Sequence, residues 1–254
     1  MPALSAVDLA STTPEQLAEL MAGPAEQFAP WILAAAEHGF VEAQAILGQM
    51  LLDGAGVPRD AAAGLAWFKR AAHADHLMSI NMVGRCYENG WGTEPDQVVA
   101  AYWFRLAAER GLDWGIYNHA HMLRDGRGGV PQDRAAALGW YRRAADLGHV
   151  KSIGVVGRFL EQGDVVPRDL DAAMDCYRRA AEGGDFRGMF HYGRMLVEQG
   201  LVDDGLPWLR RVPDTATPAF LREAAAMLRA GPAPDLAALY EGQPERRDPP
   251  TKPA

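Results

Sequence analysis

The chain has 254 residues, 48% apolar and 23% charged, with a formal net charge of −8. This is the composition of a folded protein with room for one large domain or two ordinary ones. It argues against a chain-wide attraction for nucleic acid or anionic membrane. The two cysteines, Cys86 and Cys176, supply no disulfide framework. No apolar run approaches the ~20 residues of a membrane span. The opening MPALSAVDLASTTPEQ lacks a basic segment followed by an apolar one, so no secretory signal and a cytoplasmic location are expected.

Residues 1–13 read as a flexible N-terminus, and 14–39 as a degenerate capping repeat. A strong periodicity then sets in. Trp31, Trp67, Trp103 and Trp140 fall 36, 36 and 37 residues apart, each followed by an Ala pair at 35–36, 71–72, 107–108 and 144–145. A fifth copy has Cys176 in the Trp place and keeps Ala180-Ala181. Gly48, Gly84, Gly157 and Gly193 share a second column, with Ala120 filling the gap. Asp60, Asp96, Asp133 and Asp169 make a third. The boundaries predicted are four repeats over 40–75, 76–111, 112–148 and 149–184. A degenerate repeat with C-terminal capping helices follows over 185–241, including helices at Pro218–Ala230 and Asp235–Tyr240. The Pro-rich, polar residues 242–254 are expected to be disordered.

Each column has a mechanical reason. A small residue inside the first helix of a pair lets the second approach closely; otherwise Gly in a helix costs about 1 kcal/mol against Ala. Asp before AAAGLAWFKRAA is an N-cap, and Pro58, Pro131 and Pro167 just ahead stop the first helix from running on. Gly54-Ala-Gly56, Gly90-Trp-Gly92 and Gly126-Arg-Gly128 supply positive-φ turns between the helices. The Trp column is expected to pack between neighbouring repeats.

The stretch from Glu42 to Gly48 (EAQAILG) and the stretch from Gly139 to Ala145 (GWYRRAA) carry the pattern A-x-x-x-L-G followed by W-[FY]-[KR]-[KR]-A-A. With G-x-G-V and Asp between, this resembles the Sel1-like repeat family, a relative of the tetratricopeptide repeats, over about residues 27–212. The resemblance implies an all-α, α/α superhelical solenoid of helix–turn–helix repeats. It also implies an adaptor or scaffold without activity of its own, and no cofactor.

In such stacks the first helix of each pair is expected to line the concave side. The column directly after the Gly/Ala reads Gln49, Arg85, His121, Arg158, Arg194; three before it comes Ala45, Asn81, Tyr117, Gly154, Phe190. Arg85, Arg158, Arg194 and His121, with Tyr117, Phe190 and Asn81, are therefore the candidate partner-binding residues. Arg grips carboxylate with two parallel hydrogen bonds and aromatics add contact area, so an acidic protein or peptide is the expected partner. The competing expectation is that these Arg pair with Glu88, Asp125 or Glu161 and merely solvate the groove. A small-molecule- or metal-responsive protein using the same groove is the alternative function. His119 and His121, two apart on a helix, point to nearly opposite sides and make a poor metal pair. His76 and His149 share one turn position, which points to repeat architecture. Cys86 sits in a Met/Phe column and reads as a buried thiol. No nucleophile and base are tied together by spacing, so no catalytic residue is assigned.

Overall fold

The structure is a computed structural model that describes residues 22–231 and 234–241. The expectations for the N-terminal residues up to 21 and for 242–254 lie outside the described residues. The chain divides into two compact units, residues 1–133 and 134–254. In the first, α1 (Ala25–Glu37), α2 (Val41–Asp53), α3 (Ala61–His73), α4 (Leu77–Asn89), α5 (Gln97–Glu109) and α6 (Asp113–Asp125) pack each against the next. In the second, α7 (Arg134–Asp146), α8 (Val150–Gln162), α9 (Leu170–Glu182), α10 (Phe186–Glu198) and α11 (Val202–Thr215) do the same. There α12 (Pro218–Ala230) packs with a 3-10 turn (Pro234–Leu236) and α13 (Ala237–Glu241), closing over Phe190 and Leu209. Among the described residues there is no strand, and no helix is long and apolar enough to cross a membrane.

The caps follow the repeat. Asp60, Asp96 and Asp169 begin the second helices, accepting hydrogen bonds from the backbone N–H groups of Ala63, Val99 and Ala172 at 2.9, 3.0 and 2.9 Å. His76 and His149 begin first helices in the same manner. Each Nδ1 accepts from the backbone N–H three residues on, Ser79 at 3.2 Å and Ser152 at 3.3 Å, and meets that serine's hydroxyl. Asp185 caps α10 through Gly188 N–H at 2.8 Å. These side chains satisfy backbone donors that a helix start leaves open.

The core corrects one expectation. The Trp column is only half-buried; the residue after it is the buried one. Phe68, Phe104, Tyr141 and Tyr177 are at most 2% exposed. On α5 the buried stripe is Ala100, Ala101, Phe104, Ala107 and Ala108, a 3.6-residue period with Phe104 at its centre and Trp103 at its edge. The small column exists for that ring. A Cβ on Gly48 would stand 2.9 Å from Phe68, one on Gly84 2.7 Å from Phe104, and one on Gly157 3.1 Å from Tyr177. Leu209 takes the ring's place in the degenerate repeat, 2.9 Å from a Cβ on Gly193.

Most turns that end a second helix place Gly at positive φ, as at Gly111 and Gly148, both +87°. Asp75 occupies this place between α3 and α4 with φ +61°, the one non-Gly residue with positive φ among the described residues. Its carboxylate pairs with Arg110 at 2.9 Å, but the carboxylate side chain is 76% exposed. An exposed pair of this kind is worth at most about 1 kcal/mol, while the left-handed conformation costs an L-residue about 1–2 kcal/mol. Asp75→Gly is therefore expected to raise stability by about 0.5 kcal/mol in denaturant unfolding; a loss of stability would show that the ion pair outweighs the strain.

Candidate interaction surface

The outward stripe of each first helix carries the polar columns, because the opposite stripe is committed to the core. In residues 1–133 that surface is largely self-satisfied. The Arg85 guanidinium lies over the Trp91 ring, 4.9 Å from its centroid, and burial lowers its pKa against the pull of Glu88. Glu88 itself accepts from Arg127 at 3.1 Å, and Arg124 grips Asp125 with two bonds of 2.6 and 2.8 Å. The rings of Tyr117 and His121 lie 4.3 Å apart, with His121 Nδ1 3.1 Å from the Tyr117 carbonyl. Burial, aided by Arg124, pushes the His121 pKa down to about 3, so its ring is neutral at neutral pH. Trp114 extends this aromatic surface, edge-on to Tyr117 at 6.1 Å. Asn81 is not on this surface. It is buried, and its Oδ1 accepts from Asn118 Nδ2 at 2.8 Å, tying α4 to α6.

Residues 134–254 correct two further expectations. Phe190 is fully buried, packed edge-on against Phe220 and Tyr240 at 5.5 and 6.2 Å, because α12 and α13 cover its side of α10. Arg194, with a side chain only 12% exposed, is spoken for: it pairs with Glu161 of α8 and with Glu198 at 2.6 Å. The Tyr177 hydroxyl donates to the other Glu161 oxygen at 2.7 Å. Burial raises the Glu161 pKa, but Tyr177 and Arg194 outweigh it and hold the carboxyl below its ordinary range. The pairing expected as the competing reading is thus present for Arg194. Arg158 is different. Among the described residues no carboxylate lies within ion-pair distance of it.

His191, which sequence reasoning missed, completes this cluster. Its ring stacks on Tyr177 at 4.8 Å and 18°, and its Nδ1 is buried with no hydrogen-bond partner among the described residues. Burial first, then Arg194, pushes its pKa down to about 4. Below pH about 6.5 the unfolded chain takes up a proton that the folded ring refuses until about pH 4. Stability is therefore expected to fall as pH drops through that window. His191→Gln should flatten the decline when denaturant unfolding is compared at pH about 7 and about 5. An equally steep decline in the variant would assign the acid sensitivity elsewhere.

The charge is unevenly divided. Residues 1–133 hold 8 Lys and Arg against 16 Asp and Glu, whereas 134–254 hold 17 of each. The whole net charge of −8 lies in the first unit. Among the described residues no three His, Cys, Asp or Glu side chains gather as metal ligands would. Both thiols are free. Cys86 is fully buried, and that burial pushes its pKa up to about 12.

The Sel1 repeat model matches residues 41–76, 77–112, 115–149 and 155–185. No curated protein matches at a significant level. Among solved structures, a protective antigen of uropathogenic Escherichia coli displaying an SLR fold is 27% identical with TM-score 0.68. The match covers 89% of this chain and 51% of the antigen, so the chain spans about half that protein's length. A Sel1 repeat protein from Oxalobacter formigenes aligns at TM-score 0.74 and 23% identity, over 89% of this chain and 96% of its own. A Pseudomonas aeruginosa protein aligns at 0.51 and 15%, over 91% and 87%. The last two likenesses concern the fold.

Proposed function

Because the chain belongs to the Sel1 repeat family, whose repeats generally mediate protein–protein interaction, we propose that it is a non-catalytic adaptor whose first helices engage an acidic protein or peptide. Arg158 carries this reading. It is a half-buried cation on the outward stripe of α8, and Glu161, three residues on, is already held by Tyr177 and Arg194. A guanidinium left in this state is available to a carboxylate brought by a partner. Within residues 1–133, Tyr117, His121 and Trp114 present a neutral aromatic surface of their own. Rigid helices hold these side chains in place, so a partner meets a surface that needs little ordering. The free thiols suit a reducing compartment, in keeping with the cytoplasmic expectation.

The test is a titration against the partner captured from the native host. Arg158→Glu is expected to weaken that partner by about tenfold or more, at least about 1.4 kcal/mol, with affinity falling as salt rises. Thermal melts should stay close to wild type, since a half-exposed position of this kind moves stability by about 0.5 kcal/mol. Unchanged binding with an intact fold would remove α8 from the interaction surface.

A further inference from the structure

The polar row of first-helix residues does not act as one strip. We propose that acidic recognition is confined to residues 150–198, where Arg158 of α8 and Arg187 of α10 form two guanidinium seats for the carboxylates of one acidic peptide segment, while Arg85 takes no part. The inference rests on the reading of the first helices as the partner surface and says which of them read charge.

Arg187 stands on the outward stripe of α10, one turn before His191 and two before Arg194. Its guanidinium lies over two rings, Phe186 at 4.6 Å and Phe220 at 5.3 Å from the centroids. The two rings restrict the guanidinium, and Arg187 is exposed to solvent. A carboxylate is then met by a preset fork, and little side-chain entropy is lost on binding. Among the described residues no carboxylate is within ion-pair distance of Arg187 either. Its neighbour Asp185 spends its buried carboxylate on the N-terminus of α10.

Of the guanidinium groups on α8 and α10, Arg158 and Arg187 stand outside ion-pair distance of a carboxylate among the described residues. Arg194, Arg158 and Arg187 all act on the His191 ring, as does Glu161. Glu161 and Glu198 both pair with Arg194, and Asp185 caps α10, so none of these three carboxylates forms an ion pair with Arg158 or Arg187. Arg85 has the opposite setting. It is folded onto Trp91 beside Glu88, in the unit that carries the whole net charge of −8. An acidic segment is repelled there and accepted around α8 and α10.

The probe is a fluorescent, end-blocked hexaglutamate peptide, with hexaglutamine as control, titrated into the full chain from about 50 to about 300 mM salt. Hexaglutamate is expected to bind in a salt-dependent manner and hexaglutamine not to bind. The double variant Arg158→Gln/Arg187→Gln is expected to lose at least about tenfold in affinity, and Arg85→Gln less than about twofold. Arg158→Lys/Arg187→Lys should recover part of the loss, because charge returns without the planar fork. Hexaglutamate that fails to bind, or that binds the double Gln variant like wild type, overturns the inference. The native partner is titrated alongside. Its loss in Arg85→Gln but not in the double variant overturns the inference and leaves the adaptor reading intact. Indifference to all three substitutions overturns both.

Discussion

Phe104→Ala is expected to cost about 3–5 kcal/mol, the range for deleting a large buried aromatic, and Trp103→Ala only about 1–2 kcal/mol. The two residues are neighbours, but they stand on different stripes of α5. Phe104 is fully buried and lies in the space that Gly84 vacates, where a Cβ would stand 2.7 Å from the ring. Trp103 is half-buried at the rim of the same core, with Tyr102 edge-on at 5.7 Å. Removing the Phe104 ring opens a cavity against rigid neighbours, Ala100, Ala101 and Met122. Trimming Trp103 uncovers surface that water can reach. The check is paired denaturant unfolding of the two variants. Equal losses, or a larger one for Trp103, would mean that the Trp column holds the stack together.

Gly92→Ala is expected to lose at least about 3 kcal/mol. Gly92 has φ +74°, which costs an L-residue about 1–2 kcal/mol on its own. The larger part comes from packing. A Cβ there would run into the carbonyl oxygen of Ala61, the first residue of α3, so the loop between α4 and α5 is pressed onto the start of the preceding second helix. Gly128 stands in the same relation to Gln97, one repeat further on. Gly111→Ala is the control: φ is +87° and nothing lies within 4 Å of the added Cβ. It should lose only the conformational cost, about 1–2 kcal/mol. A Gly92→Ala loss no larger than the control's would show that the loop yields freely.

What was legible in the sequence is what one turn of chain determines. Asp60, Asp96 and Asp169 announce their helix starts because a cap needs only its own next three residues. The ring column was within reach too: Phe68, Phe104, Tyr141 and Tyr177 stand three and four residues before the Ala pairs, on the same helical stripe. The conspicuous recurrence of Trp drew attention one residue too early. Asn81 and Phe190 were misplaced for a different reason. Asn81 is buried by a partner 37 residues away, and Phe190 by helices that lie outside the repeat pattern. Period alone carries no information about either. His191 occupies a column that elsewhere reads Ile46, Met82, Asn118 and Val155, so a lone departure from its column was the only signal. The expected Arg row divided because an acid on a neighbouring first helix, as well as one on its own helix, answers Arg194. Glu161 answers Arg194 across two helices and leaves Arg158 alone.

The most direct measurement is hydroxyl-radical footprinting of the chain with and without its captured partner. In residues 134–254, Phe186 on α10 reports on a first helix and Trp140 on α7 on a second one; in residues 1–133, Tyr117 and Trp114 on α6 and Tyr102 on α5 do the same. All five are at least partly exposed in the free chain, so each can register protection. The account predicts that the partner slows oxidation of Phe186, and that Arg158→Glu abolishes this protection. Protection of Tyr102 and Trp140 with Phe186 unchanged would contradict it and move the interaction to the opposite face of the repeats.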